Sequence, residues 1–360
     1  MVMYNKNDSI MTKGLAILSM LVLHLFCVTG EGVLGTPLLW VNETTPAVYY
    51  LGFFAEICVP LYSMCAGFAQ YLLFQKGKTS FKSNGGRILR LLTNYWIVLF
   101  LFGLLGLIFK NERIPASPVA FIKSIFLLHS YNGAWWYLNT YILLLLIPAA
   151  LVLLPVKKIK NSFIGFSLCF GIDIAWYFLN RFNFIPELVK NDSVFTFVAV
   201  ETLNIIDVLP WFWMGAFFCK FKTMDTVKEK LDKFIPSKYQ NLFLLSTWIL
   251  IFIANSIVHK AVLMGFVSVA SFLIFNLLKK SNLVQKVFLF LGKHSTNMWL
   301  THMFFYAIMF KELLVSVKYP LFILLFLILL CVITSYCVMG IQNIISKVSK
   351  SLKGDVNAQS

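Results

Sequence analysis

Residues 12–29 read TKGLAILSMLVLHLFCVT. Between Lys13 and His24 there is no charge, and only Gly14 and Ser19 interrupt the large or small apolar side chains. A run of this length matches a helix that crosses the hydrocarbon core, which takes about 20 mostly apolar residues. No small-residue cleavage site follows it, so it reads as a retained first span and not as a signal peptide.

Working outward, nine further runs of the same kind follow, near 52–74, 88–109, 134–154, 162–180, 205–221, 240–258, 261–278, 294–310 and 320–343. Val119 to Leu128 is apolar but too short to span, and is expected to be interfacial or re-entrant. The runs are too long and unbroken for barrel strands, and lipid cannot satisfy free backbone groups, so the chain must be helical. The expected fold is therefore all-α: a polytopic integral membrane protein of about ten transmembrane helices. It forms one domain over 1–360, with a core of about 10–345 and short tails. Composition agrees. The 360 residues are 59% hydrophobic and only 13% charged, about half the charge of a soluble domain.

The net charge of +16 would suggest nucleic acid in a soluble protein, but here it reads as orientation. With the N-terminus inside, 23 of the 31 Lys and Arg fall on the cytoplasmic side and 8 outside. That asymmetry places both termini in the cytoplasm and requires an even number of spans. Trp135 and Trp136 are then expected in an outer aromatic belt. The seven cysteines form no CxxC and no Cys/His zinc spacing, so no metal site is expected and apolar packing is their expected role.

Ionisable groups inside the membrane are costly and carry the functional information. Lys13 and His24 are eleven residues apart, about three turns, so they share a helix face with a rise of about 16 Å. This sets an imidazole near mid-bilayer beneath a cation at the cytoplasmic mouth. The plainer reading of His24 is a hydrogen bond between helices. Arg87 and Arg90 open the third span with both guanidiniums on one face, a pair suited to phosphate; ordinary snorkelling is the plainer reading. His302 lies about two turns inside the ninth span, whereas His294 is expected at the interface and solvated. Glu56 and Asp173 are the buried carboxylates, either able to orient an imidazole or pair with an arginine. Glu201 and Asp207 are expected to be wet. The inventory of imidazole, guanidinium and carboxylate fits proton transfer on a hydroxyl, with an anionic ligand held from the cytoplasm.

These residues, taken in order, resemble the acyltransferase-3 family of integral-membrane acyltransferases, which O-acylate cell-envelope glycans. The family's Arg-x10-His is similar to Lys13-x10-His24, and its Arg-x-x-Arg to Arg87-Ile-Leu-Arg90. Its second-span Ser-Gly-Phe stretch resembles Val59 to Phe68, ending Ala66-Gly67-Phe68, and its Trp-Phe-Leu resembles Trp136-Tyr-Leu138. A late Gly-x-x-Ser-x-x-x-Tyr-Leu-x-His resembles Gly292 to His302, with Ser295 and Trp299 in place. Two positions depart: Lys13 stands where the family has Arg, turning a bidentate contact into a point charge, and Ala66 replaces a Ser. The resemblance covers about residues 10–345.

It implies transfer of an acyl group, most simply acetyl, to a hydroxyl of a cell-envelope or capsular polysaccharide or its lipid-linked precursor. Acetyl-CoA or another acyl-CoA would be a co-substrate, with no permanently bound cofactor. Arg87 and Arg90, with Lys13, would hold CoA phosphates; His24 would be the general base; His302 and Ser295 would orient it or polarise the thioester; Glu56, Asp173 and Trp136 would support. A glycolipid or small-anion transporter using the same buried groups competes with this reading, but the paired Gly/Pro-broken helices of such proteins are not evident. A structural or sensory subunit would not need His24 or Arg90. Phe-, Lys- and Asn-rich usage suggests a low-GC bacterium, hence an inner-membrane location. The oligomeric state stays open, and no nucleic-acid partner is expected.

Overall fold

The computed structural model describes residues 4–182 and 194–358. It is 80% helix; among the described residues there is no strand, and the one β-bridge joins Trp40 to Pro46. Lys190, one of the eight outer basic residues, lies outside the described residues, as do the side chains of the cytoplasmic Lys350 and Lys353.

In chain order the helices are α1 (Lys6–Phe26), α2 (Val48–Phe54), α3 (Cys58–Gln75), α4 (Phe81–Ile108), α5 (Pro118–Ile125), α6 (Trp136–Leu146), α7 (Ala149–Val152) and α8 (Leu154–Lys158). Then come α9 (Ser162–Arg181), α10 (Val194–Lys220), α11 (Thr223–Phe234), α12 (Gln240–Val258), α13 (Met264–Leu277), α14 (Asn282–Met303), α15 (Lys311–Val315) and α16 (Pro320–Ala358). Local chemistry sets the ends. Asn5 caps α1 and forms a reciprocal box with Asp8. Asn161 caps α9, and Ser117 with Pro118 opens α5.

Among the described residues seven helical stretches are long and apolar enough to cross a membrane: Lys6–Phe26, Val48–Gln75, Phe81–Ile108, Ser162–Arg181, Thr196–Lys220, Gln240–Val258 and Pro320–Lys347. All ten expected spans fall on helix, but three are not single apolar helices of spanning length. The expected 134–154 breaks between α6 and α7, where Pro148 removes an N–H donor. The expected 261–278 is a 14-residue α13 entered by a 3₁₀ turn at Ala261–Leu263, only about 21 Å long. The expected 294–310 starts earlier, at Asn282, stays α-helical to Met303 and passes into a π turn at Phe304–Ile308. α9 and α12 expose apolar side chains such as Phe163, Ile164, Leu250 and Ile257 along their length. Water would not tolerate such faces, and lipid is the medium that suits them.

The chain divides into two compact units. The first comprises Met1–Val33, Pro37–Asn84 and Tyr137–Lys293. Within it α1 runs antiparallel to α2 and α3, with Cys27 against Gly52 at one end and Cys65 near Tyr4 and Ser9 at the other. Helix crossings are made at glycine. A Cβ on Gly67 would fall onto the carbonyl of Phe212, one on Gly215 onto that of Met64, and one on Gly292 onto that of Ile10. Close backbone approach at small residues is how helices pack without a hydrophobic drive between them. Lys220 Nζ donates to the carbonyls of Val156, Lys157 and Ile159 at 2.6, 3.1 and 2.6 Å, closing the orphan C-terminal carbonyls of α8.

The second unit comprises Leu34–Thr36, Gly85–Trp136 and His294–Ser360. Phe102 stacks on Phe304 with ring centroids 4.0 Å apart. Tyr95 and Trp96 donate to the carbonyls of Ser124 and Ile125 at 2.6 and 3.0 Å, tethering α5. That helix covers the short apolar piece read from sequence, and Val119, Ile122 and Phe126 remain exposed on it. Trp135 does not join an outer belt. It is buried, its indole donates to Leu300 O at 3.0 Å, and its ring meets Tyr95.

Candidate active site

The first unit holds Lys13, His24, Glu56 and Asp173, all half-buried. Lys13 and His24 lie on α1, a continuous helix, so the shared face and the rise of about 16 Å read from sequence follow from its geometry. Glu56 sits in the 3₁₀ turn Ala55–Ile57 between α2 and α3. Gly52 faces Cys27, and the antiparallel run of α1 against α2–α3 sets Glu56 within about one turn of the level of His24. Asp173 goes elsewhere: it lies against Gly265 of α13 together with Trp211. It therefore flanks a tryptophan.

The second unit holds Arg87, Arg90, Trp136, Ser295 and His302. Arg87 is half-buried and Arg90 exposed near the start of α4. Asn94 lies on the same face, two turns beyond Arg87 and one beyond Arg90. Its amide donates to Asn297 Oδ1 at 2.7 Å, and its own Oδ1 accepts from Gln342. Asn297 in turn donates to Ser335 Oγ at 3.0 Å, and Ser335 Oγ is 2.8 Å from His294 Nδ1. Five polar side chains on α4, α14 and α16 thus form one connected chain. His294 is 4% exposed within it, which corrects the expectation of a solvated interfacial imidazole. Ser295, beside it, is also buried.

His302 is fully buried on α14, one residue before the α-helix gives way to the π turn, a local distortion frequent at functional sites. Its Nδ1 stands 2.8 Å from Trp299 O. A carbonyl can only accept, so Nδ1 carries the proton and Nε2 is the basic nitrogen of the neutral ring. The Asn132–Trp136 segment is fastened alongside. Asn132 and Trp135 both donate to Leu300 O, at 3.1 and 3.0 Å, and Trp299 Nε1 donates back to Ala134 O at 2.9 Å. Trp136, half-buried, opens α6 directly after this clamp.

Two amides of this chain emerge that sequence reading passed over, and two carboxyls sit differently from expectation. Asn94 and Asn297 carried no signal beyond being amides in apolar runs. Glu201, expected to be wet, is 8% exposed and accepts from Asn139 Nδ2 at 2.9 Å. Asp207, also expected wet, is only half-exposed. Gly67 and Gly292, which belong to the recurring motifs, prove to be crossing points of helices.

A family model described as an acyltransferase domain matches residues 9–339, across both units. No curated protein and no solved structure gives a match.

Proposed function

The chain belongs to the acyltransferase-3 family of membrane acyltransferases, and we propose that it O-acylates a hydroxyl of a cell-envelope or capsular polysaccharide, or of its lipid-linked precursor, with acetyl-CoA or another acyl-CoA as donor. The family match over residues 9–339 carries the reaction class. In this reading the helices form ten crossings of a bacterial plasma membrane with both termini in the cytoplasm, so that the basic loops meet the cytoplasmic donor.

Arg87 and Arg90 hold donor phosphates, since paired guanidiniums match phosphate oxygens bidentately. Lys13 adds a point charge at the mouth. His24 takes the proton of the acceptor hydroxyl as its oxygen attacks the thioester carbonyl; the C–S bond breaks and the proton passes to the CoA thiolate. Such general-base assistance contributes about 10²–10⁴-fold. His302 and Ser295 polarise the carbonyl or orient the reacting groups, and Glu56 supports His24 from the neighbouring element. A transporter reading predicts movement of substrate without a new ester bond.

The test is CoA release by purified protein in the presence of envelope glycan, compared among wild type, His24→Ala and Arg90→Ala. Loss of at least roughly 10²-fold in His24→Ala, and a raised donor KM in Arg90→Ala, are expected. Wild-type rates in both would remove these residues from the reaction. Mass spectrometry of the glycan from cells with and without the gene identifies the acyl group and its acceptor.

A further inference from the structure

Between α1 and α2 the chain forms a small pinned hairpin. Trp40 and Pro46 make the bridge; Val41 N donates to Thr45 O and Ala47 N to Leu39 O, both at 2.9 Å. Asn42 Oδ1 accepts from Thr44 N and Thr45 N at 3.0 and 2.8 Å, and Trp40 Nε1 donates to Pro37 O at 3.2 Å. On this fixed frame four consecutive apolar side chains stand exposed: Leu38 at 78%, Leu39 at 72%, Trp40 at 47% and Val41 at 57%. We propose that this hairpin is immersed in the lipid headgroup–acyl boundary on its side of the membrane and anchors the α1–α2 connection there.

The occupant follows from three observations. First, the segment links two helices long and apolar enough to span, Lys6–Phe26 and Val48–Gln75, so it leaves and re-enters at the membrane surface. Second, neighbouring residues of such a segment point in opposite directions. No single protein face covers all four side chains, whereas a fluid medium surrounds them. Third, the tip is Asn42-Glu43-Thr44, polar and exposed, and the stretch Pro37–Ala47 carries one acid and no base. Insertion is therefore apolar and shallow, with the tip in water, which is the depth tryptophan prefers. The internal hydrogen bonds already occupy part of the backbone, including the N–H of Val41 and of Ala47, which lowers the cost of leaving water.

Full-length protein is reconstituted into phosphatidylcholine vesicles, with or without bromine on the upper acyl chain, as wild type and as Trp40→Phe. The difference in emission isolates Trp40. Loss of more than about half of that difference signal to bromolipid, with little effect of aqueous iodide, is the expected result for an interfacial indole. Quenching by iodide instead, or shielding from both quenchers, overturns the proposal, as does a signal that changes on dilution with lipid, which would mark contact between copies. Should Trp40→Phe fail to fold, Leu38→Ser/Leu39→Ser keeps the indole: a red-shifted, iodide-accessible emission is expected, and an unchanged spectrum overturns the proposal.

Discussion

Single residues already show why burial and charge had to be seen in space. His294 stands next to Lys293 in sequence, and nothing in that neighbourhood reveals that Ser335, on α16, takes its Nδ1. The partner is 41 positions away on another helix, beyond any periodicity argument. Ser335→Ala removes the hydroxyl that joins His294 to Asn297, and the cost is about 1–3 kcal/mol for leaving buried polar atoms unmatched, read as a lower unfolding temperature in detergent. Lys280 makes a different point. It sits between α13 and α14, its ammonium lies 4.3 Å from the Phe275 ring centroid and donates to Leu278 O. Burial pushes it down to about 8 from 10.5, against the opposing pull of Asp8. The folded state therefore disfavours the proton. Below about pH 8 both states are charged and the penalty is fully present; between about 8 and 10.5 only the unfolded chain keeps the proton, so stability rises with pH. Lys280→Met is expected to unfold at a higher temperature than wild type at pH 7, and the gap should narrow when the comparison is repeated at pH 9.5. A constant gap would mean that the charge is solvated.

At the level of elements, apolar runs located helices well and helix breaks poorly. The stretch 134–154 is apolar throughout, so hydropathy reads one span, yet Pro148 stops α6 and the freed carbonyl of Leu145 is taken by Asn84 Nδ2 at 3.0 Å. That amide is 61 residues away in sequence, so the compensation was invisible although the proline was not. Asn84→Leu strands the carbonyl and should cost about 1–3 kcal/mol, measured by thermal unfolding; Pro148 itself cannot restore the bond. Likewise the motif glycines looked like family markers, and the structure gives them a mechanical reason. Gly67→Val would drive a branched side chain into the Phe212 carbonyl at the α3–α10 crossing. A loss of about 1–3 kcal/mol or more is expected from overpacking, together with poor recovery of folded protein. Gly171, with open space around it, is the control: Gly171→Ala should leave the unfolding temperature unchanged or raise it, since alanine is the better helix former.

For the molecule as a whole, the charge asymmetry is the strongest long-range signal in the sequence, and the first unit gives it a spatial counterpart. Lys220 reaches the backbone of Val156–Ile159, Lys279 N donates to Asn241 Oδ1 and Lys279 Nζ donates to Ser237, and Lys280 feels Asp8 near the start of α1. Helix ends far apart in sequence, each carrying lysines, thus meet at one end of that unit. Seven spans by length and apolarity would put the termini on opposite sides if each crossed alone, whereas ten crossings return the chain to its starting side. The distinction rests on α6–α8, α13 and α14, which are broken, short or polar for reasons that also place Asn84, Asp173 and His302. A membrane-impermeant maleimide applied to intact cells separates the two. Cysteines introduced singly at Asn42 and Lys347, which are exposed, and at Lys228, which is half-buried, are compared with the parent chain, whose exposed Cys337 sets the background. Labelling at position 42 without lysis, and at 228 and near the C-terminus at Lys347 only after lysis, is the pattern that the basic asymmetry demands. Labelling at 347 before lysis would give an odd number of crossings and move the arginine pair of α4 and the C-terminus to opposite faces, leaving a cytoplasmic acyl-CoA only one of them to meet.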